Sequence, residues 1–166
     1  MTTRQLTRIT MMACLMMAIF EIFANILYLE LITFTILVFA LTFPRKEVVS
    51  AAALFAVLHM LMAGITPWSI GYLIMYPIYA CCFSYAGNWL LAHPRWIPLT
   101  CGIASLLAGQ LMDLPFLLFS TKVTIFYIIT GLKTSLIQGT LSFLATLFLW
   151  EPVVNVLKQI RQKEQL

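Results

Sequence analysis

Charge is what this sequence has least of. Lys, Arg, Asp and Glu together make up 10% of its 166 residues, against roughly 25% in a soluble domain. With 62% of residues apolar and a mean hydropathy of +0.97, the composition is that of an integral membrane protein. The formal charge of +4 has no solvated domain on which to cluster, so a nucleic-acid partner is excluded. Other absences narrow the chemistry further. Cys14, Cys81, Cys82 and Cys101 lie inside apolar runs without C-x-x-C or Cys/His spacing, which argues against a zinc site or disulfide framework. They read as small buried apolar residues. There is no H-E-x-x-H or G-x-S-x-G, and Asp113 has no second intramembrane aspartate to pair with, so neither metal, cofactor nor enzymatic activity is expected.

What the sequence does have is long apolar runs, at about 8 to 27, 31 to 43, 48 to 63, 70 to 92, 96 to 119 and 124 to 150. The amino-terminal stretch has a basic start like a signal peptide. Its apolar run is too long and lacks a small-residue cleavage site, so it reads as the first helix. The expected fold is an all-α integral membrane protein, a compact bundle of six transmembrane helices forming one domain over residues 1–166. The second and third runs are short for a bilayer core of about 30 Å, so either the bilayer thins there or those helices begin inside protein. Arg4, Arg8, Arg45, Lys46, Arg95, Lys158, Arg161 and Lys163 fall at the termini or in even-numbered loops, whereas only Lys122 falls in an odd-numbered one. The positive-inside rule then puts both termini in the cytoplasm.

Polar groups inside the runs are few and concentrated. Glu21, His59, Asp113 and Lys133 all fall in the outer half on this topology. Buried ionisable groups in membranes are costly and face a cavity or a partner, so an outer polar cavity is expected. Asp113 and Lys133 either pair to lock the fifth and sixth helices or face a ligand. On the sixth helix Tyr127, Thr130, Lys133, Thr134 and Gln138 recur at i, i+3 and i+4 steps as one polar stripe that stops part-way down, like the wall of a closed pocket. On the fourth, Tyr72, Tyr76, Tyr79 and Phe83 recur at helical spacing after Trp68. They suit either a stacked ring ligand or an interfacial belt with core packing. Gly64, Pro67 and Gly71 mark a shaped turn before them. Gly102, Ser105 and Gly109 form a small-residue face on the fifth helix that permits close helix contact. Thr10, Cys14 and Ala18 do the same on the first, with Glu21 and Asn25 continuing near that face.

The whole chain resembles a substrate-binding S component of an energy-coupling factor (ECF) vitamin transporter. The resemblance lies in "TMMACLMMA" on the first helix, "FALTFPRKEVVSAAALFAVLHMLMAGITPWSIGY" across helices two to four, and "YIITGLKTSLIQGTLSFLA" opening the sixth. It implies a vitamin-binding subunit of the bacterial plasma membrane that docks on a transmembrane T component and two cytosolic ATP-binding cassette ATPases. The family's pocket is on the outer side, where this sequence places Trp68, Tyr72, Tyr76, Asp113, Lys133 and Gln138, with Tyr127 and His59 expected at the same depth. The family's docking motif is Ala-x-x-x-Ala on the first helix. Here Ala13 is followed by Met17, and Cys14 with Ala18 keeps small residues at that spacing beside Thr10. Among the family's ligands the chain looks closest to those for the hydroxymethylpyrimidine precursor of thiamin or for pyridoxine. The rival reading is a six-span scaffold of the rod-shape cell-wall complex, which binds partners and needs no ligand pocket.

Overall fold

In a hydrocarbon medium every backbone amide must be satisfied within its own segment, and runs of Leu, Ala, Ile, Met and Phe meet that demand as helices. The computed structural model describes residues 2–24, 26 and 29–163. Its elements are α1 (Thr3–Ala24), α2 (Ile32–Thr42), α3 (Arg45–Ala63), α4 (Pro67–Ala92), α5 (Trp96–Leu111), a 3-10 turn (Leu114–Leu118) and α6 (Thr121–Lys163). There is no strand among the described residues. Five helices are long and apolar enough to cross a membrane, and α2 is not. The six expected spans therefore resolve into five of spanning length and one short apolar helix.

That short helix is the centre of the molecule. At about 1.5 Å per residue its eleven residues reach about 16 Å, roughly half a bilayer core. All eleven are buried. It packs against α1, α3, α4, α5 and α6 alike, with Ile36, Leu37 and Val38 fully enclosed. Thr35 and Thr42 turn their hydroxyls back onto the carbonyls of Leu31 and Val38, so their polarity is absorbed locally. Large side chains such as Leu61, Phe119 and Phe148 cover the outside, the distribution of an apolar exterior around an equally apolar core.

The α5–α6 contact is the most extensive between helices. Its cause is the small-residue face of α5. A Cβ placed on Gly102 would sit 2.9 Å from the Gly139 carbonyl oxygen, and one on Gly139 would sit 2.8 Å from the Gly102 carbonyl oxygen. A Cβ on Gly109 would collide with the Ser135 hydroxyl. The two backbones are in contact because neither helix has a side chain between them.

Three of the boundaries that differ from the sequence expectation matter to the packing. Helix α3 begins at Arg45 rather than 48, with Glu47 turned inward to an ion pair with Arg8 at 2.9 Å. The fifth run is broken: α5 stops at Leu111 and the chain continues as a 3-10 turn with Pro115 in its first turn. Helix α6 continues to Lys163 instead of ending near 150, because Trp150, Val153, Val154 and Leu157 extend its apolar face at i, i+3, i+4 and i+7 and pack on the core. Arg161 near its end donates to the Thr42 carbonyl. Both ends of the chain thus converge on the α2–α3 turn, Arg8 through Glu47 and Arg161 through Thr42.

Gly102→Val is expected to lower thermal stability in detergent by about 1–3 kcal/mol, the usual cost of overpacking a close contact. Thr140→Val, on the exposed side of the same α6 turn, should leave the melting temperature where it was. Equal melting temperatures for the two variants would disprove the close α5–α6 contact.

Candidate binding cavity

The site starts from a carboxylate in the linker between α1 and α2. Glu30 accepts the backbone N–H of Thr33 on Oε1 at 2.7 Å and the Ser105 hydroxyl on Oε2 at 2.9 Å. The Ser142 hydroxyl lies 2.9 Å from both the Glu30 carbonyl oxygen and the Ser105 hydroxyl. One residue therefore satisfies the start of α2 and ties it to α5 through its carboxylate and to α6 through its carbonyl. Burial pushes the Glu30 carboxyl above the ordinary carboxylate range, and the donors from Thr33 and Ser105 oppose that shift.

Glu30 also forms part of the wall of a cavity of about 380 Å³, within the range of roughly 300–1,000 Å³ typical of small-molecule sites. From α4 come Trp68, Tyr72 and Tyr76; from α5 and its end come Ser105, Gly109 and Asp113; from α6 come Tyr127, Thr130, Gly131, Thr134, Ser135 and Gln138. A second chamber of about 240 Å³, under the end of α1, shares Glu30, Tyr72, Tyr76 and Gln138 with the first.

Local chemistry explains how α4 delivers its aromatics. Gly64 has φ of +83°, a left-handed turn that only glycine adopts without strain. Two residues on, Thr66 and Ser69 form a reciprocal capping box, with Pro67 at the first helical position. The cap fixes Trp68, which packs edge-on against Phe116 at 5.1 Å and Tyr127 at 6.1 Å between centroids. One and two turns further in, Tyr72 and Tyr76 lie parallel, 5.2 Å apart and 10° from coplanar orientation. Trp68 and Asp113 border the same cavity. Across the cavity Gln110 donates to Ser135 at 2.8 Å, bracing α5 against α6.

Of the residues singled out from sequence, Trp68, Tyr72, Tyr76, Asp113, Tyr127 and Gln138 surround this one cavity. Tyr79 and Phe83 do not. They are buried in the core, with the Tyr79 hydroxyl on the Ala104 carbonyl at 3.1 Å. Lys133 is a correction: it is exposed, lies outside the cavity wall and forms no ion pair with Asp113. Two successive i+3 steps, from Tyr127 to Thr130 to Lys133, drift about 120° around a helix at about 100° per residue. The cavity face instead follows Tyr127, Gly131, Thr134 and Gln138, with Gly131 in the place expected of the lysine.

His59 is also displaced from the wall. It is packed behind Tyr72, 5.0 Å away edge-to-face, and 4.7 Å from Phe20, with Nδ1 unpartnered among the described residues. Glu21 is exposed, and Asn25 lies outside the described residues. On α1 the stripe of Thr10, Cys14 and Ala18 is exposed, whereas Ala13 is fully buried with Met12 and Met16 and so cannot belong to the docking face. Cys14 and Cys82 are exposed rather than buried, while Cys101 is in the core. No cluster able to hold a metal exists among the described residues.

Glu30 is the residue that sequence reasoning missed. As the single acid between the first two apolar runs it reads as part of a solvated turn, yet its side chain turns to Thr33 and Ser105. Comparison with protein-family models, curated proteins and solved structures finds no significant match.

Glu30→Ala removes the acceptor for two donors in the bundle interior and is expected to cost about 1–3 kcal/mol of stability. Glu30→Gln keeps an amide oxygen in place and should cost less than half as much. Thermal unfolding in detergent checks the order; equal losses would show that the carboxylate charge, not its acceptor role, holds α2.

Proposed function

We propose that this chain is the substrate-binding S component of an ECF-type importer, capturing a small water-soluble vitamin or precursor for uptake. The observation that supports this most directly is the cavity itself: a polar chamber inside an otherwise apolar bundle, walled by parallel tyrosines and by hydrogen-bonding groups from three helices. Such a wall suits a flat heteroaromatic ring with hydroxyl or amino substituents, and hydroxymethylpyrimidine or pyridoxine is the favoured class. The protein's role is capture, and ATP hydrolysis belongs to two partner ATPases joined through a transmembrane T component. The exposed Thr10, Cys14 and Ala18 face of α1 is the docking surface in this reading, since small residues let a partner helix approach. The placement of bases supports a topology with both termini in the cytoplasm and the Trp68 end of the bundle outward, and the membrane in this reading is the bacterial plasma membrane.

Mass spectrometry of the molecule released from freshly purified protein tests the reading, together with calorimetric titration of pyridoxine, hydroxymethylpyrimidine, thiamin, pantothenate and folate. A released vitamin, or saturable heat from one of the panel, is expected. Lys133→Ala should leave that affinity within about twofold, because an exposed ion outside the cavity contributes little, whereas Tyr76→Ala should weaken it by about tenfold or more through loss of a stacking face. A protein that releases nothing, binds none of the panel and co-purifies with wall-synthesis proteins belongs to the scaffold class instead.

A further inference from the structure

Resting on that reading of the cavity as a ligand site, we propose that Asp113 is a cation-recognition residue and that the cavity selects heteroaromatic molecules carrying a positive charge at one edge. The first observation is charge. The wall contains two carboxylates, Asp113 and Glu30, and no lysine, arginine or histidine. Lys133, the base nearest in sequence, faces away.

The second is placement. Asp113 is 93% buried, since its exposure is only 7%, yet it borders the cavity. Trp68 and Tyr127 border the cavity beside it, so a cation held there meets both an anionic oxygen and aromatic faces, the two groups that bind it best in a dry site. Glu30, already holding Thr33 and Ser105, borders the cavity at Ser105, eight residues before Asp113 in the chain. It is left to accept from a neutral donor at the other end of the ligand.

The third observation is independent of charge. Tyr76 is buried to within 3% of its surface and borders both chambers, yet its hydroxyl has no hydrogen-bond partner among the described residues. A buried polar group left open to a cavity marks the place of a ligand or of water that a ligand displaces. Together these define a flat ring over Tyr72 and Tyr76, hydrogen-bonded at Tyr76, with its cationic substituent toward Asp113.

The test is a charge series on constant rings. Pyridoxamine, pyridoxine and 4-pyridoxate differ at one substituent, as do the aminomethyl, hydroxymethyl and carboxyl forms of 4-amino-2-methylpyrimidine; thiamin adds a permanent cation. Binding is measured calorimetrically on the full chain in detergent, at mildly alkaline pH where carboxylates are ionised and primary amines still charged. The amine is expected to bind roughly ten- to hundredfold tighter than the matching alcohol, the worth of a charge-assisted bond, and the carboxylate not to saturate. Asp113→Asn should collapse the amine preference to within about twofold, while Glu30→Gln weakens all members of a ring series together. Because the wild-type series alone reads the preference, a variant that fails to fold does not stall the test. A carboxylate member binding as tightly as its amine, or a preference surviving in Asp113→Asn, overturns the charge assignment and leaves the binding function standing. Saturation by none of the seven compounds overturns the charge assignment; failure of pantothenate and folate as well, with nothing released from the purified protein, overturns the binding function too.

Discussion

The hydrogen bonds that Glu30 makes to Thr33 and Ser105 are the constraint on which the rest of the structure depends. A helix of eleven residues, too short to cross a bilayer, begins beside the cavity within the bundle, and the first amides of any helix lack intrahelical acceptors. In hydrocarbon such orphans are far costlier than at a surface. Glu30 supplies one acceptor, and its charge is aligned favourably with the positive end of the helix. Because its second oxygen takes Ser105 and Ser142 reaches its backbone carbonyl, the same residue fixes where α2 meets α5 and α6. Capping a buried helix and placing a carboxylate beside a cavity are therefore one event.

The remaining helices divide by what they can do around that anchor. Helix α4 changes character along its length: Trp68, Tyr72 and Tyr76 border the cavity, and Tyr79 and Phe83, on the same face, are core. The division falls where α2 begins to fill the space opposite. Helix α5 contributes shape through what it omits, since Gly102 and Gly109 let α6 come close enough for Ser135, Thr134 and Gln138 to face the cavity. The polar groups on α6 are then satisfied partly by their own helix, as when Thr130 bonds the Phe126 carbonyl, and partly by neighbours, as when Ser135 accepts Gln110. An apolar membrane helix tolerates this density of hydroxyls only against a surface that can answer them.

The helical, membrane-embedded character of the chain and five of its long helices were legible from hydropathy, because length and apolarity alone set them. The α5 small-residue face was legible too, since spacing of small residues reads directly as backbone approach. Facing was less so. The α6 stripe placed Lys133 with Tyr127 and Gln138 by counting i+3 steps, an approximation that accumulates angular error and, over two turns, points a side chain out of the cavity. Ala13 and Cys14 are adjacent in sequence and differ completely in burial, which no composition argument separates. Glu30 was not legible because its burial depends on long-range contacts: only the positions of Ser105 and Ser142, far along the chain, make a turn between helices into an interior site.

The depth at which polarity ends bears on what kind of device the bundle is. Beyond Glu30 the axis of the molecule is occupied by α2, with Ile36, Leu37 and Val38 enclosed and Phe55 and Cys101 equally buried around it. Hydroxyls in that direction are consumed locally: Ser142 by Ser105 or the Glu30 carbonyl, Thr146 by the Ser142 carbonyl and Thr42 by the Val38 carbonyl. A pore needs polar groups or space along its whole depth, and a helix that every neighbour grips is no gate that opens by a side-chain rotation. A molecule entering at the Trp68 end therefore meets a closed floor. Under the proposed function, that geometry suits capture of a ligand rather than its conduction through the bundle.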